Sequence, residues 1–392
     1  MRVLLLHNRY QVRGGEDTVV DMEREMLCGA GVTVDLLEVS NDQITGAAAK
    51  IGTAVQVPYS FASRRLTAAR IRAFQPDVVH VHNFFPALSP SIYDACRAAR
   101  VPVVQTLHNY RLVCANALLF RNGKICTECL DRALPLPAIR HNCYRDSKAG
   151  SAAVAAMIAL HRARRTWASR VQRFIVLTQF AHDLFTRHAQ IPAEKICIKP
   201  NAAPDPGRGS GAGGYALYVG RLSQEKGIEP LLAAAVHGQG LGMPLLVAGD
   251  GPLLSKVQAL CAPGKLEYAG LQDAAGVRRL MLEARVLLLP SLWYEGLPMV
   301  VPEAFGAGLP IVASRIGALE TLIEDGANGL LAEPGNPAAL AAAVRRVAAG
   351  GDFEQDLRGC ARATYEAQYQ PEANLRLLLQ IYRQATESLQ GH

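Results

Sequence analysis

Short apolar runs, many of them rich in β-branched residues, alternate along the chain with segments of helical periodicity. Nearly continuous apolar runs are typical of strands that are buried on both faces of a sheet. Strands that alternate with helices favour parallel sheets covered by helices. The pattern therefore predicts an α/β protein with two doubly wound, Rossmann-like domains. The predicted strands lie at 3–6, 32–37, 78–81, 101–106 and 174–177, and then at 217–219, 245–248, 266–269, 286–289 and 311–313.

A stretch rich in Pro, Gly and Ser separates the two sets of strands, and it has no apolar periodicity. Such composition is typical of a linker, and 392 residues are enough for two domains. We expect an N-terminal domain over 1–199, a linker over 200–214 and a C-terminal domain over 215–364. The last residues, 365–392, have the periodicity of one or two helices, which could pack back on the first domain.

Composition and charge narrow the class of protein. Half of the residues are hydrophobic and 19% are charged, which argues against a disordered chain. No apolar run reaches the roughly 18–20 residues of a spanning helix, and the apolar run at 3–6 is too short for a signal-peptide core. The sequence predicts a cytoplasmic protein, with a possible location at the inner face of the membrane.

The net charge of +7 is unevenly placed, because residues 1–200 carry 26 Lys/Arg against 15 Asp/Glu and the remainder carry 15 against 19. A basic first half indicates an anionic partner: phosphates, nucleic acid or a membrane surface. Five arginines and a tryptophan at 161–173 suit a membrane surface or a lipid-phosphate acceptor. A solvated helix face is the alternative. The same basic face could include Arg64, Arg65, Arg70 and Arg72.

The strand at 217–219 leads into a turn that carries two cations, Arg221 and Lys226. Arginine offers a planar fork and lysine a movable charge, and a helix N-terminus close to Lys226 favours phosphate. The turn therefore predicts an anion site, with an ordinary solvated turn as the alternative.

Two carboxylates follow the strand at 286–289. Glu295 is expected in a loop and Glu303 in the next helix, with free backbone N–H groups at Met299 and Val300 between them. About 10–12 Å of chain separates the two carboxylates, whereas a retaining glycosidase needs its pair roughly 5–5.5 Å apart. The spacing favours hydrogen bonds to two ends of a polar ligand. Without other evidence, Glu303 could equally be a partly buried acid paired with a base.

These residues and their order resemble the retaining GT-B glycosyltransferases of family 4. The resemblance spans essentially the whole chain and is most specific in the second half. It is carried by Gly220-Arg221-Leu222, Glu225-Lys226-Gly227, Gly249-Asp250-Gly251-Pro252, the pair Glu295 and Glu303, Ile316-Gly317-Ala318-Leu319-Glu320 and Gly326-Ala327-Asn328-Gly329-Leu330-Leu331. It implies a GT-B fold, a nucleotide-sugar donor in the C-terminal domain, an acceptor mainly in the N-terminal domain, and transfer in a cleft between them.

The resemblance also implies residue roles. Arg221 and Lys226 would hold the donor diphosphate, Glu295 would contact the transferred sugar, and Glu303 would bind the ribose hydroxyls. His108, at the end of a predicted strand, matches the sugar-contacting histidine of the family. The catalytic set is thus Glu295, Arg221, Lys226 and His108, and the donor-binding set adds Gly14, Gly15, Gly296, Leu297, Met299, Val300 and Glu303.

The sequence contains no Asp-x-Asp motif, so we expect a metal-independent reaction in which fixed cations stabilise the leaving phosphate. We expect front-face transfer of a sugar to a cell-surface polysaccharide, a glycolipid or a lipid-linked acceptor. Two alternatives stay open: a nucleotide-sugar 2-epimerase, and a zinc-knuckle protein that binds nucleic acid. A glycosyltransferase would have a nucleotide-sugar and a glycan or lipid-linked acceptor as partners, and no nucleic acid.

Four of the nine cysteines cluster in a segment at 109–146 that follows His108: Cys114, Cys126, Cys129 and Cys143. An Asn-Gly turn before the Cys-x-x-Cys pair predicts a hairpin. One Cys-x-x-Cys with two outlying cysteines suits a tetrahedral structural zinc. Free thiols in a long loop and a redox pair are the alternatives. A zinc bound to four thiolates would be structural, because no coordination position stays open for catalysis.

Overall fold

The computed structural model describes residues 1–11 and 14–390, apart from the side chains of Gln43, Ala47, Ala48, Lys50 and Gln390. Two compact units divide the chain. Unit 1 contains residues 1–119 and 126–200 and the chain from Asn374 onward, and unit 2 contains residues 120–125 and 201–373.

Unit 1 is built on a six-stranded parallel sheet with the order β2-β1-β3-β4-β7-β8. Its switch point lies between β1 and β3, where successive connections leave in opposite directions. Its elements are β1 (Arg2–Arg9), α1 (Gly15–Gly29), β2 (Thr33–Ser40), α2 (Gly46–Gln56), α3 (Phe61–Phe74), β3 (Val78–Asn83), α4 (Ile92–Ala98), β4 (Val103–Leu107), α5 (Leu136–Arg140), α6 (Lys148–Ala163), α7 (Thr166–Arg170), β7 (Arg173–Val176), α8 (Gln179–His188) and β8 (Ile196–Ile198), with short 3₁₀ turns at Asn41–Gln43 and Ala193–Lys195.

The hairpin predicted by the Asn-Gly turn is present: β5 (Phe120–Arg121) pairs antiparallel with β6 (Lys124–Ile125). Asn122 and Gly123 both have left-handed φ angles, 52° and 76°. A two-residue turn of this kind matches the twist of its strands.

Unit 2 repeats the same plan with a six-stranded parallel sheet in the order β11-β10-β9-β12-β13-β14. Its switch point lies between β9 and β12. Its elements are β9 (Ala216–Val219), a 3₁₀ turn at Gln224–Lys226, α9 (Ile228–Val236), β10 (Leu245–Ala248), α10 (Leu254–Ala259), β11 (Leu266–Gly270), α11 (Ala274–Glu283), β12 (Val286–Leu289), α12 (Val300–Gly306), β13 (Ile311–Ser314), α13 (Leu319–Leu322), β14 (Gly329–Ala332), α14 (Pro337–Ala348) and α15 (Asp352–Gln368).

The last helix, α16 (Pro371–Gln390), covers one face of the unit 1 sheet. Leu378, Ile381, Tyr382 and Ala385 are buried and recur at helical spacing, so they form one apolar stripe. The stripe packs against strand residues that point to the same face, Val3, Leu5, Val78, Val104 and Ile175. The C-terminal helix is thus part of the core of unit 1.

The Pro- and Gly-rich segment 201–214 has no regular secondary structure, and specific contacts fix it to unit 2. Asp205 forms an ion pair with Arg362, with an N–O distance of 2.6 Å. The amide of Gly209 donates to the carbonyl of Ala307 at 2.8 Å, and the hydroxyl of Tyr365 donates to the carbonyl of Ala203 at 3.0 Å. The segment is therefore an ordered part of the unit.

All ten predicted strands are present in the structure, within one or two residues at most ends. It adds β8 and β14, both at sheet edges, to the predicted set. No helix in the described ranges is both long and apolar enough to cross a membrane.

Candidate functional site

The cationic turn of unit 2 lies at the carboxyl end of β9, beside the switch point of the sheet, where ligands bind in folds of this kind. After β9 the chain passes through the 3₁₀ turn and Gly227 into α9. Gly227 has a left-handed φ of 72°, and a Cβ there would lie 1.8 Å from the carbonyl oxygen of Pro290. Only glycine allows the turn to approach the end of β12 this closely.

That approach brings Lys226 to Glu295. The Lys226 ammonium lies 2.8 Å from one carboxylate oxygen of Glu295 and 3.0 Å from the other. The hydroxyl of Ser291 donates to the same carboxylate at 2.6 Å. Glu295 is 4% exposed, whereas the side chain of Lys226 is 25% exposed and lies over the Trp293 ring. The structure therefore joins two predicted site residues, 69 positions apart, into one partly accessible ion pair.

Arg221 lies on the same turn and is exposed. Its guanidinium makes no hydrogen bond or ion pair with any residue that the structure describes. The backbone around it is fixed: the hydroxyl of Tyr218 donates to its carbonyl at 2.8 Å. A Cβ at Gly249 would lie 1.9 Å from the carbonyl oxygen of Gly220, so two glycine-rich loops pack backbone against backbone. The site thus offers one uncompensated cation on a rigid turn.

Glu303 lies in the first turn of α12 and is half-buried. Burial raises the pKa of its carboxyl to about 7, and the nearby Arg278 opposes the rise. The amides of Met299 and Val300, just before it, donate to no described acceptor. Gly296 and Leu297 belong to the loop between them and Glu295. Free N–H groups and a carboxyl that can exist in either protonation state suit a polar ligand.

In unit 1, Gly14 and Gly15 form the start of α1. The amide of Gly14 donates to Asp17 at 2.8 Å, and the ring of His7 lies 2.7 Å from the same carboxylate. Burial acts to raise the pKa of Asp17, but these two hydrogen bonds hold it below its usual value. Gly14 has φ −124°, and a Cβ there would meet nothing within 4 Å. No atom of the described residues therefore fills the space beside Gly14.

His108 follows β4 and lies among polar groups that the sequence analysis did not identify. Its ring is 3.1 Å from that of His82, at the end of β3. Asn109 donates to Glu16 at 2.7 Å, and Glu16 acts electrostatically on His108. One oxygen of Glu16 is buried without a hydrogen bond to any described residue. The signal that could have pointed to Glu16 is its position next to the Gly-Gly pair at the helix start.

One group of possible metal ligands is found in the described residues: Glu23, His80 and His82, all buried. A metal does not fit it. The ammonium of Lys199 lies 2.7 Å from Glu23, and both nitrogens of His80 have partners, the hydroxyls of Tyr382 and Thr106 at 2.8 Å each. A buried lysine already supplies the positive charge at this position.

The four clustered cysteines lie near one another, because Cys114, Cys143 and Cys126 all act electrostatically on Cys129. Burial, with these neighbours, raises the pKa of Cys129 to about 11. None of the four forms a disulfide with a described residue, and they do not form a group of three or more sulfur atoms within 4.8 Å of one another. That spacing is wider than the roughly 3.8 Å between thiolates around a tetrahedral zinc. The predicted hairpin lies between Cys114 and Cys126 in the chain.

The structure corrects the interpretation of 161–173 as one helix with a free basic face. The segment spans the end of α6, a break at Arg165, and α7. Trp167 is buried against Phe84 and Tyr93 and cannot contact a membrane. Two of the five arginines, Arg164 and Arg170, form ion pairs with Asp94, and Arg162 donates to backbone carbonyls. These arginines serve to hold helices together. Of the further arginines named with them, Arg70 pairs with Asp35, while Arg64, Arg65 and Arg72 are exposed.

Comparison with known proteins places this geometry in a family context. A family model for a glycosyl transferase 4-like domain matches residues 14–202, and a model for glycosyl transferases group 1 matches residues 213–349. The amylovoran biosynthesis glycosyltransferase AmsK of Erwinia amylovora is 31% identical over 176 residues, which cover 42% of this chain and 43% of that protein. The chain spans about half the length of the curated relatives that it matches.

Solved structures agree on the fold. Sucrose-phosphate synthase from Thermosynechococcus elongatus has a TM-score of 0.73 and 18% identity, covering 99% of both chains. HepE from Anabaena, solved in complex with UDP-glucose, has a TM-score of 0.66 and 16% identity, covering 100% of both chains. The chain therefore has the GT-B fold, and residues 14–202 and 213–349 belong to the glycosyl transferase 4-like and glycosyl transferases group 1 families.

Proposed function

We propose that the protein is a retaining glycosyltransferase that moves a sugar from a nucleotide-sugar to a glycan or lipid-linked acceptor in polysaccharide biosynthesis. The observation that carries the proposal is the arrangement at the carboxyl ends of β9 and β12. There, an unpaired Arg221, the Lys226–Glu295 ion pair and the free amides of Met299 and Val300 belong to one sheet edge.

In the proposed reaction, the two cations and the amides bind the donor diphosphate. They stabilise the negative charge that develops on it as the glycosidic bond breaks, and fixed donors of this kind need no reorganisation during the reaction. Glu295 accepts hydrogen bonds from the transferred sugar, and Glu303 accepts them from the ribose hydroxyls. The departing diphosphate takes the proton of the acceptor hydroxyl on the same face, so no covalent nucleophile and no metal are required.

We propose further that the acceptor is carried by a lipid. A cavity of about 310 Å³ in unit 1 has mostly apolar walls from α2, α6 and the loop after β3, and Arg145 lies among its lining residues. Beside it, α2 and α3 expose large apolar side chains: Ile51 is 66% exposed, Val55 74% and Phe61 68%. The exposed Arg64 and Arg65 share α3 with Phe61. Apolar side chains flanked by arginines suit contact with an anionic membrane surface.

The four cysteines are proposed to hold a structural zinc that stabilises the segment after His108. The donor set suits zinc, since the four thiols lie near one another and Cys-x-x-Cys follows a tight hairpin. Their sulfur atoms would move closer together on ligation, and the thiols would lose their protons. The zinc would take no part in transfer.

Neither alternative from the sequence is favoured. A nucleic-acid-binding surface would need free arginines at 161–173, and Arg164 and Arg170 are occupied by Asp94. The match to two glycosyltransferase domain families covers both units, which a zinc-knuckle protein does not explain. For a 2-epimerase, no observation gives specific support.

The proposal is tested by donor binding and turnover with a panel of UDP-, GDP- and ADP-sugars. A donor that binds the folded state raises the melting temperature, and Arg221→Ala should remove that shift. Arg279→Ala is the matched control, because Arg279 is exposed in the same unit but acts on Tyr215, at the opposite end of β9. If no nucleotide-sugar shifts the melting temperature, or if Arg279→Ala has the same effect as Arg221→Ala, the proposed site is wrong.

A further inference from the structure

A row of buried ionisable groups crosses the carboxyl end of the unit 1 sheet. Lys199 lies 2.7 Å from one oxygen of Glu23, and the other oxygen lies 3.4 Å from Nε2 of His82. Nδ1 of His82 lies 3.1 Å from Nε2 of His108. Lys199, Glu23 and His82 are at most 3% exposed, and His108 is half-buried. The row thus runs from the interior to the residue that the family resemblance assigns to the sugar.

The second oxygen of Glu23 is buried and has no hydrogen bond within the usual distance. Two histidine nitrogens face it, Nε2 of His82 at 3.4 Å and Nδ1 of His80 at 3.7 Å. His80 is engaged elsewhere: its Nδ1 lies 2.8 Å from the hydroxyl of Tyr382, and its Nε2 lies 2.8 Å from that of Thr106. His82 is therefore the group that can donate a proton to this oxygen.

This geometry fixes where the protons lie. Burial lowers the pKa of both His82 and His108, so both rings are neutral and each carries one N–H. If Nε2 of His82 carries the proton, it faces the carboxylate and Nδ1 is an acceptor. If Nδ1 carried it, a lone pair would face a buried carboxylate at 3.4 Å, which is unfavourable.

With Nδ1 of His82 as an acceptor, Nε2 of His108 must carry the proton that joins the two rings. Nδ1 of His108 is then unprotonated, and it makes no hydrogen bond with any described residue. We propose that Glu23, acting through His82, fixes the tautomer of His108 so that Nδ1 accepts a hydrogen bond from a hydroxyl of the transferred sugar. Glu23 and His82 are positioning residues, and the sugar contact rests on the proposed function.

The tautomer itself is measured without substrate. Long-range ¹⁵N–¹H spectra of the full chain with labelled histidine distinguish pyrrole-like from pyridine-like nitrogens, and the His108 signals are assigned by their loss in His108→Asn. We expect a pyrrole-like Nε2 and a pyridine-like Nδ1 for His108. The opposite tautomer, or a doubly protonated ring near neutral pH, would overturn the proposal.

The role of Glu23 is tested with Glu23→Gln/Lys199→Met, because removing both charges leaves no unpaired ammonium in the core. The side-chain amide that replaces the Glu23 carboxylate can donate as well as accept, so Nε2 of His82 is no longer required to carry the proton and both rings should lose their single tautomer. Glu25→Gln, an exposed position on the same helix, should leave the spectrum unchanged. A His108 tautomer that stays the same in a folded double variant would refute the relay. If the double variant does not fold, the wild-type spectrum still decides.

Donor measurements separate this inference from the proposed function. The double variant should bind UDP as the wild type does, while kcat/KM with UDP-glucose falls with the fraction of molecules that have the other His108 tautomer, by at most about tenfold, the effect of one misdirected hydrogen bond. A wild-type protein that turns over no nucleotide-sugar would defeat the proposed function and leave the tautomer result standing. A changed tautomer with unchanged kcat/KM would show that Nδ1 does not contact the sugar.

Discussion

Replacing Lys226 by Met tests whether one ammonium has both a structural and a catalytic role. The substitution keeps much of the apolar stem over Trp293 and removes the charge that binds both oxygens of Glu295. Glu295 keeps the hydroxyl of Ser291 at 2.6 Å but loses its cation, although it is 4% exposed. A hydrogen bond to a charged group contributes about 1.5–3 kcal/mol. Because Lys226 is partly solvated, we expect a loss of about 2 kcal/mol in the free energy of unfolding.

The effect on turnover should be larger than the effect on stability. If the ammonium also stabilises the departing diphosphate, its loss should lower kcat by about 10²–10³, the cost of removing one preorganised donor. Stability is measured by urea unfolding and kcat by release of the nucleotide diphosphate. Lys256→Met is the matched control: Lys256 pairs with Glu229 on the surface, both side chains are about half exposed, and such pairs contribute roughly 0–1 kcal/mol.

A double-mutant cycle with Glu295→Gln then separates the two roles. Residues in direct contact couple by roughly 0.5–3 kcal/mol, so the double variant should be more stable than the sum of the single changes indicates. The reasoning fails if Lys226→Met retains near-normal kcat, or if its stability matches that of Lys256→Met. Additive effects in the cycle would show that the ion pair seen in the structure does not contribute to the folded state.

Three further predictions follow from the same structure. Burial raises the pKa of Glu303 to about 7 from 4.5, so between these pH values the folded state holds a proton that the unfolded chain has released. The free energy of unfolding of the wild type should therefore fall, relative to that of Glu303→Gln, by up to ~3 kcal/mol from pH 4.5 to 7. Parallel curves of unfolding free energy against pH for the two proteins would contradict this. Elemental analysis should find about one zinc per chain, lost in Cys126→Ser/Cys129→Ser with a lower melting temperature; equal melting of the wild type with and without a chelator would contradict it. Phe61→Ser should weaken binding to anionic vesicles about tenfold, because burying a large apolar side chain contributes about 1.5–3 kcal/mol, without altering the fold; wild-type protein that binds neutral and anionic vesicles equally or not at all would contradict it.

The sequence predicts strands well where burial on both faces makes them nearly continuous in apolar residues. The ten strands found this way include all the central ones of both sheets. The added strands, β8 and β14, are edge strands: β8 has three residues and β14 begins with Gly329. A strand of three residues offers little pattern, and a glycine contributes no apolar side chain to a run.

The candidate site was predictable where its parts lie on one turn. Arg221 and Lys226 share a strand-to-helix turn, so local geometry alone brings them close. The pairing of Lys226 with Glu295 is different, because it depends on β9 and β12 being adjacent in the sheet and on Gly227 meeting Pro290. The interpretation of the arginine-rich segment failed for the same reason: Arg164 and Arg170 pair with Asp94, which lies 70 positions from Arg164. A run of charged residues indicates a free charged surface only when no residue distant in the sequence forms ion pairs with it.

The buried row in unit 1 lay beyond any pattern in the sequence. Glu23 falls within an amphipathic helix, where an acid is ordinarily exposed, and its partner Lys199 lies 176 positions away. A buried ion pair of this kind is often no more stabilising than apolar side chains of similar volume. The fold therefore has no energetic need for a carboxylate at this position. Three neutral histidines lie near it: His80, His82 and the half-buried His108, whose Nδ1 has no described partner. A carboxylate can fix the positions of their protons, which an apolar side chain could not do. The proton positions in the row are thus the property for which Glu23 and Lys199 are required.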